Sequence, residues 1–184
     1  MSEHLPILAV APPMESDPAR ILAVHYRRLL AERMADRPYL NPALQVATTT
    51  FRRVGGDWLG CVVTPWSLNL VLVNGGGRLW QDMRDGERRL VRLPVGELEF
   101  IADAGETSLV AWQYCPFIAP VKHIPDMEHA LIAAREALAT VLAPPSRISP
   151  EPDFVPETAP ESRVQVPETP APRRGFLRGL FGGD

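Results

Sequence analysis

Proline decides how much of this chain can pack. Twenty prolines stand among its 184 residues, and nine of them fall within the 29 residues from Pro144 to Pro172. Each proline fixes φ and removes a backbone donor. Between them stand Glu151, Asp153, Glu157, Glu161 and Glu168. Such a composition buries too little apolar surface to offset its ordering entropy, so residues 144–172 are expected to be a disordered Pro/Glu-rich linker. The linker carries a near-repeat, VPETAP at 155–160 and VPETPAP at 166–172, and its plain reading is an extended spacer. Beyond it, residues 173–184 form a short basic and apolar tip, RRGFLRGLFGGD. At the other end, residues 1–15 are expected to be a flexible segment. That leaves 16–143 as one folded domain, a size able to hold a real core.

The totals then narrow the class. Hydrophobic residues make up 46% and charged residues 22%, ordinary values for a soluble globular protein. A formal net charge of −3 gives no case for a nucleic-acid partner. Two cysteines, Cys61 and Cys115, are too few for a disulfide framework, which points to a reducing compartment and a cytoplasmic protein. The N-terminus lacks the basic lead and long apolar core of a secretory signal. No run of about 18 apolar residues provides a membrane span.

Within the domain, Ser16-Asp17-Pro18 reads as a helix start: a capping side chain, then proline at the first turn. Leu22, Tyr26, Leu29, Leu30 and Met34 fall on one stripe, and Pro38 stops the helix near Asp36. Six stretches then read as strands: 45–54, WLGCVVTPW at 58–66, LNLVLV at 68–73, RRLVRLP at 88–94, GELEFIAD at 96–103 and SLVAWQYC at 108–115. Gly55-Gly56-Asp57 and Asn74-Gly75-Gly76-Gly77 are expected as turns. A second helix follows Pro125, with Met127, Leu131, Ala134, Leu138 and Leu142 as its seam, and ends at Pro144-Pro145. The fold class is therefore α+β: a largely antiparallel sheet with an N-terminal and a C-terminal helix packed on one of its faces.

Catalytic chemistry finds little support. Cys115 as nucleophile, His123 as base and Asp126 as orienting acid would compose a triad. Yet no signature surrounds Cys115, no donor loop offers an oxyanion hole, and cysteine commonly packs as a small apolar group. A metal site from Cys61, Cys115, His123 and His129 lacks the close ligand spacing that holds an ion. Gly75-Gly76-Gly77 has neither the lysine and hydroxyl of a phosphate loop nor the helix of a dinucleotide fingerprint. The sequence reads as a binding protein rather than an enzyme, with no cofactor. Pro65 and Trp66 attract notice instead, because proline cannot donate to a central ladder. The strand there bends or lies at an edge, and an open edge beside aromatic rings suits an extended peptide.

GCVVTPW at 60–66, LNLVLV at 68–73, RLW at 78–80 and LPVGELEF at 93–100, in that order, resemble the HybE/HupJ family of nickel–iron hydrogenase assembly chaperones. The resemblance runs from about Pro18 to Leu142 and resumes at the tip, where members often end in a double arginine followed by apolar residues. It implies a non-catalytic cytoplasmic accessory protein for maturation of an uptake hydrogenase. It also implies that the client is the small-subunit precursor, bearing a twin-arginine leader, held back until assembly is complete. The large subunit and other maturation proteins are further partners it allows. Some relatives carry a rubredoxin module with paired C-x-x-C motifs; none is present here, so no iron-binding role is carried over. A small metal-transfer or redox protein using Cys61 and Cys115 is the alternative.

The residues expected to meet a partner are Pro65 and Trp66 in the domain and Arg173, Arg174, Phe176 and Leu177 in the tip. Gly60 and Gly96 read as backbone requirements. Three roles for the tip stay open: a mimic of the client's leader, a docking peptide for a partner, or a contact with an anionic membrane surface.

Overall fold

DWLGCVV and LNLVLV lack the polar alternation of a strand with one wet face. In the computed structural model, which describes residues 8–105 and 111–144, both stretches are inner strands buried on both faces. The elements in chain order are β1 (Leu8–Ala9), α1 (Ala19–Leu29) continued by a π-helical turn (Leu30–Met34), β2 (Ala47–Thr48), β3 (Arg52–Val54), β4 (Asp57–Val63), β5 (Leu68–Val73), β6 (Met83–Arg84), β7 (Arg88–Leu93), β8 (Gly96–Asp103), β9 (Trp112–Ile118) and α2 (Met127–Leu142). The main sheet is antiparallel, in the order β2-β4-β5-β9-β8-β7, with β3 also pairing β4; β1 and β6 form a separate two-stranded ribbon.

The expected α+β class is what the chain adopts, but the two helices lie on opposite faces of the sheet rather than on one. Side chains alternate across a strand, and here both sets are apolar. Leu59, Cys61 and Val63 of β4, with Leu68, Leu70 and Leu72 of β5, pack with Ala130, Ala134, Leu138 and Val141 of α2. Val62, Val71 and Val73 face the other way, with Trp112 of β9, onto Leu22 and Tyr26 of α1. A sheet covered on both faces explains why β4 and β5 read as continuous apolar runs. The seam of α2 sits slightly round from the expected one: Ala130, Ala134, Leu138 and Val141 are buried, and Met127, Leu131 and Leu142 flank them.

Local chemistry sets the ends of these elements. Asp17 Oδ1 accepts from the Ala19 amide at 2.8 Å ahead of α1, and Asp126 Oδ1 accepts from the His129 amide at 2.9 Å to cap α2. The expected strand 45–54 is split, because Thr49–Phe51 leave the ladder. Phe51 turns under Gly60, where an added Cβ would lie 2.5 Å from its ring. Gly60 is thus a space requirement. Gly96 closes the tight β7–β8 turn at φ +138°, a backbone region that side chains rarely adopt.

Residues 8–15 do not behave as the flexible segment the sequence led us to expect. Ala9 and Ala11 are buried, Leu8 and Ala9 pair with Arg84 and Met83, and the Ala11 carbonyl accepts from Asn74 Nδ2 at 2.7 Å. Arg53 holds the same segment from the side. It donates to the Met14 and Glu15 carbonyls at 3.1 Å each, with its guanidinium 4.1 Å from the centre of the Trp58 ring. LAVA is too short a run to read as an element, yet its two alanines are buried while Leu8 and Val10 stay exposed. The folded unit therefore begins at least by Leu8. Residues 145–184, with most of the expected linker and all of the tip, lie outside the described residues.

Candidate partner-binding site

Thr64-Pro65-Trp66-Ser67 joins the two central strands. Proline at the second position of a four-residue turn has the φ the turn needs. The Thr64 amide donates to the Ser67 carbonyl at 2.9 Å, and the Ser67 amide donates to Thr64 Oγ1 at 2.9 Å. Of the two alternatives Pro65 allowed, bend or edge, the fold uses the bend. Strand β4 itself is not the edge; the edge strand beside the turn is the two-residue β2, whose Ala47 pairs with Val63. Pro65 itself is buried.

Asn41, which sequence reading passed over, fastens this turn. Its amide N–H donates to the Pro65 carbonyl at 2.8 Å, while its side-chain Nδ2 donates to the carbonyls of Val121 at 2.9 Å and Ile124 at 2.7 Å. One buried residue thus ties the turn, through its backbone, to the loop that leads into α2, through its side chain. The Asn41-Pro42 pair was the available signal, and it says only that the chain turns.

Trp66 is half-buried and opens the α1-side aromatic cluster to solvent. Its ring lies 6.3 Å from that of Tyr26, which lies 6.1 Å from Trp112. Trp112 Nε1 donates to the Tyr26 hydroxyl at 3.2 Å, and His25 stands edge-on to Trp112 at 4.8 Å. Burial keeps the Tyr26 phenol protonated far above its ordinary range. The result is an aromatic cluster on the α1 side with Trp66 half-buried at its rim. Trp58 and Trp80 are half-buried too, each with its indole N–H bonded, to the Met14 carbonyl and Asp82 Oδ1 respectively, both at 2.9 Å.

The glycine-rich stretch also departs from expectation. Gly75-Gly76-Gly77 does not connect a hairpin, since β5 pairs only β4 and β9. It folds over Asp57, whose Oδ1 accepts from the amides of Gly75 and Gly77 at 2.9 Å each and whose Oδ2 accepts from those of Leu79 and Trp80 at 2.7 and 2.9 Å. Asp57 belongs to strand β4 and is fully buried, not part of an exposed turn. An added Cβ at Gly77 would sit 2.4 Å from the Gly55 carbonyl, so only glycine lets the two backbones meet.

The candidate chemical groups do not converge. Leu70 is the register partner of both Cys61 and Cys115, which puts a strand between them. Two strand spacings are about 10 Å, beyond the roughly 7 Å Cα limit for a disulfide. Cys61 is fully buried, its Sγ donates to the Ala134 carbonyl at 3.2 Å, and burial pushes its thiol up to about 12. Burial raises the half-buried Cys115 as well. Asp126 bonds His129 Nδ1 at 2.8 Å rather than orienting His123. Among the described residues, no group of three or more His, Cys, Asp or Glu is arranged to hold a metal ion. No described helix is long and apolar enough to cross a membrane.

A sheet covered on both faces, with the TPW turn fastened between them, is the framework on which the sequence comparisons fall. The family model for the NiFe-hydrogenase assembly chaperone HybE matches residues 17–179. The chain belongs to the HybE family. HupJ of Bradyrhizobium diazoefficiens, a hydrogenase expression/formation protein, is 32% identical over 162 residues, covering 88% of this chain and 87% of that one. HoxT of Azotobacter vinelandii, described in the same words, is 33% identical over 170 residues, covering 88% and 95%. The solution structure of HybE from Escherichia coli has the same fold, with a TM-score of 0.59 at 22% identity over 94% of this chain and 96% of that one. The protein is thus a hydrogenase maturation chaperone, from a family of assembly chaperones rather than enzymes. The HybE match also takes in Arg173, Arg174, Phe176 and Leu177, which lie outside the described residues.

Proposed function

We propose that this chaperone works in the cytoplasm on a nickel–iron uptake hydrogenase. It binds the small-subunit precursor through the twin-arginine leader and holds it until assembly is complete. The observation that carries the reading is the family match from 17 to 179, which embraces both the folded domain and the Arg173-Arg174 tip. The half-exposed Trp66 supports it: an aromatic platform, fixed by Asn41 and the Thr64–Ser67 turn, offers a contact for the apolar residues that follow a leader's arginines. Pro65 serves by shaping that turn rather than by touching the client. Arg173, Arg174, Phe176 and Leu177 mimic the leader and compete with it. The large subunit and other maturation proteins join through the client.

The test is binding of a labelled synthetic leader peptide, measured by fluorescence anisotropy. Trp66→Ala should weaken binding about tenfold, a difference of roughly 1.4 kcal/mol, while the melting transition stays cooperative. A chain ending at Thr169 should bind the peptide more tightly than the full chain. Equal affinity of wild type and Trp66→Ala would remove the platform from the reading; no binding by any form would remove the leader.

A further inference from the structure

Where β2 and β3 part at the sheet edge, they leave a cleft of about 260 Å³ against α2, lined by Thr49, Thr50, Arg52, Arg135, Leu138 and Ala139. Its walls come from two fixed elements. Arg52 is paired with Leu59 of β4 and shares its strand face with Val54, which packs toward α2. Arg135 follows the buried Ala134 on α2. Thr49 is held by a reciprocal pair of bonds with Cys61: its amide donates to the Cys61 carbonyl and its Oγ1 accepts from the Cys61 amide, both at 2.9 Å. Beside it, Thr50 is exposed and brings a second hydroxyl to the lining.

What sets these two arginines apart is that they share one cleft, which most other arginines do not. Arg28, Arg88 and Arg92 each meet a glutamate, and Arg53 and Arg89 are spent on carbonyl and amide oxygens. Arg52 and Arg135 are exposed, have no such partner among the described residues, and share a cleft with no carboxylate in its lining. Two guanidinium groups beside hydroxyl donors make a receptor for an oxyanion. Leu138 and Ala139 give the same cleft an apolar wall, which matches the methylene stem of a glutamate and has nothing to offer a fully hydrated phosphate.

We infer that this cleft is a docking site for a glutamate-bearing segment of a partner protein, its carboxylate held between Arg52 and Arg135 and its stem against Leu138 and Ala139. The site lies on the α2 side of the sheet, whereas Trp66 packs in the cluster on the α1 side. It is a second contact, independent of the leader reading. On a protein of net charge −3, two arginines in one cleft with no partner among the described residues suit a local carboxylate rather than a polyanion.

The experiment uses the full chain with a labelled glutamate-rich peptide, and the same peptide with every glutamate replaced by glutamine. The glutamate peptide should bind at low salt and weaken as salt rises; the glutamine peptide should not bind. Arg52→Gln and Arg135→Gln should each cost about tenfold or more in affinity, the scale of a charge-assisted hydrogen bond. Arg84→Gln, an exposed arginine outside the cleft, should change nothing, and inorganic phosphate at moderate concentration should compete poorly. Neither cleft arginine has a side-chain partner among the described residues, so both variants should keep the wild-type melting transition. The inference is overturned if the full chain does not bind the glutamate peptide, or if the glutamine peptide binds equally. It is equally overturned if Arg84→Gln weakens binding as much as Arg135→Gln, or if phosphate displaces the peptide at stoichiometric levels.

Discussion

Two buried polar residues fasten the loops around strands β4 and β5. Asp57 collects four backbone amides from residues 75–80, and Asn41 joins the Pro65 carbonyl to the lead-in of α2. Replacing Asp57 by alanine strands those donors. Each buried, unsatisfied donor costs about 1–3 kcal/mol, so denaturant unfolding of Asp57→Ala should show a loss of at least about 3 kcal/mol, with Asp57→Asn in between. Cys61 makes a prediction in pH. Its thiol rises from 9.0 to about 12 on folding because it is buried, so the folded state keeps the proton. The stability this contributes is complete below pH 9.0 and is lost as pH climbs toward about 12. The stability difference between wild type and Cys61→Ala should narrow over that window, and native Cys61 should resist alkylation until denaturant is added. Two of these three roles were not legible beforehand. Asp57 followed two glycines and read as turn, Asn41 preceded a proline and read as loop, and what makes each essential is a partner more than fifteen residues away. Cys61 could be read as core, because a small apolar side chain in an apolar strand needs no partner to explain it.

The elements were easier to read than their arrangement. Strands β4, β5, β7 and β8 and both helices follow from runs of apolar and β-branched residues and from proline and glycine at their ends. Which face each helix covers does not follow, because a strand apolar on both sides carries no mark of which side meets which helix. Strand 45–54 was overextended because its threonines and valines favour a strand wherever they stand, while the break comes from Phe51 seeking the space above Gly60. For α2, Asp126 caps the first turn and also bonds His129. The hydrogen bond and charge of Asp126 raise the pKa of His129, and the bonds from His129 lower that of Asp126. The raised histidine favours folding below its ordinary pKa and loses that contribution as pH rises through the shifted value; the lowered aspartate favours folding above its ordinary pKa and loses it in acid. The pair therefore works best between the two. Asp126→Ala should return the His129 titration, followed by NMR, to the ordinary histidine range and fray the first turn of α2.

At the scale of the whole molecule, the N-terminal strip at residues 8–15 is part of the fold, clasped by Arg53 and Trp58 and paired to β6. Arg53→Ala should speed hydrogen exchange at Ala9 and Ala11 well before the core strands respond, and equal protection in the two proteins would show that the ribbon holds without the clasp. That strip and the family match to residue 179 make the protein a chaperone domain followed by a tip that belongs to the family pattern. The central claim is that this chaperone holds the small-subunit precursor of a hydrogenase, leader attached. Its most direct test is a tagged pull-down from native cytoplasm under reducing, low-salt conditions, run with the full chain and with a chain ending at Thr169, and read by mass spectrometry. The account predicts the small-subunit precursor with an intact leader in both, and more of it with the shortened chain. Recovery of only mature, leaderless hydrogenase, or of no hydrogenase component with either, would contradict it.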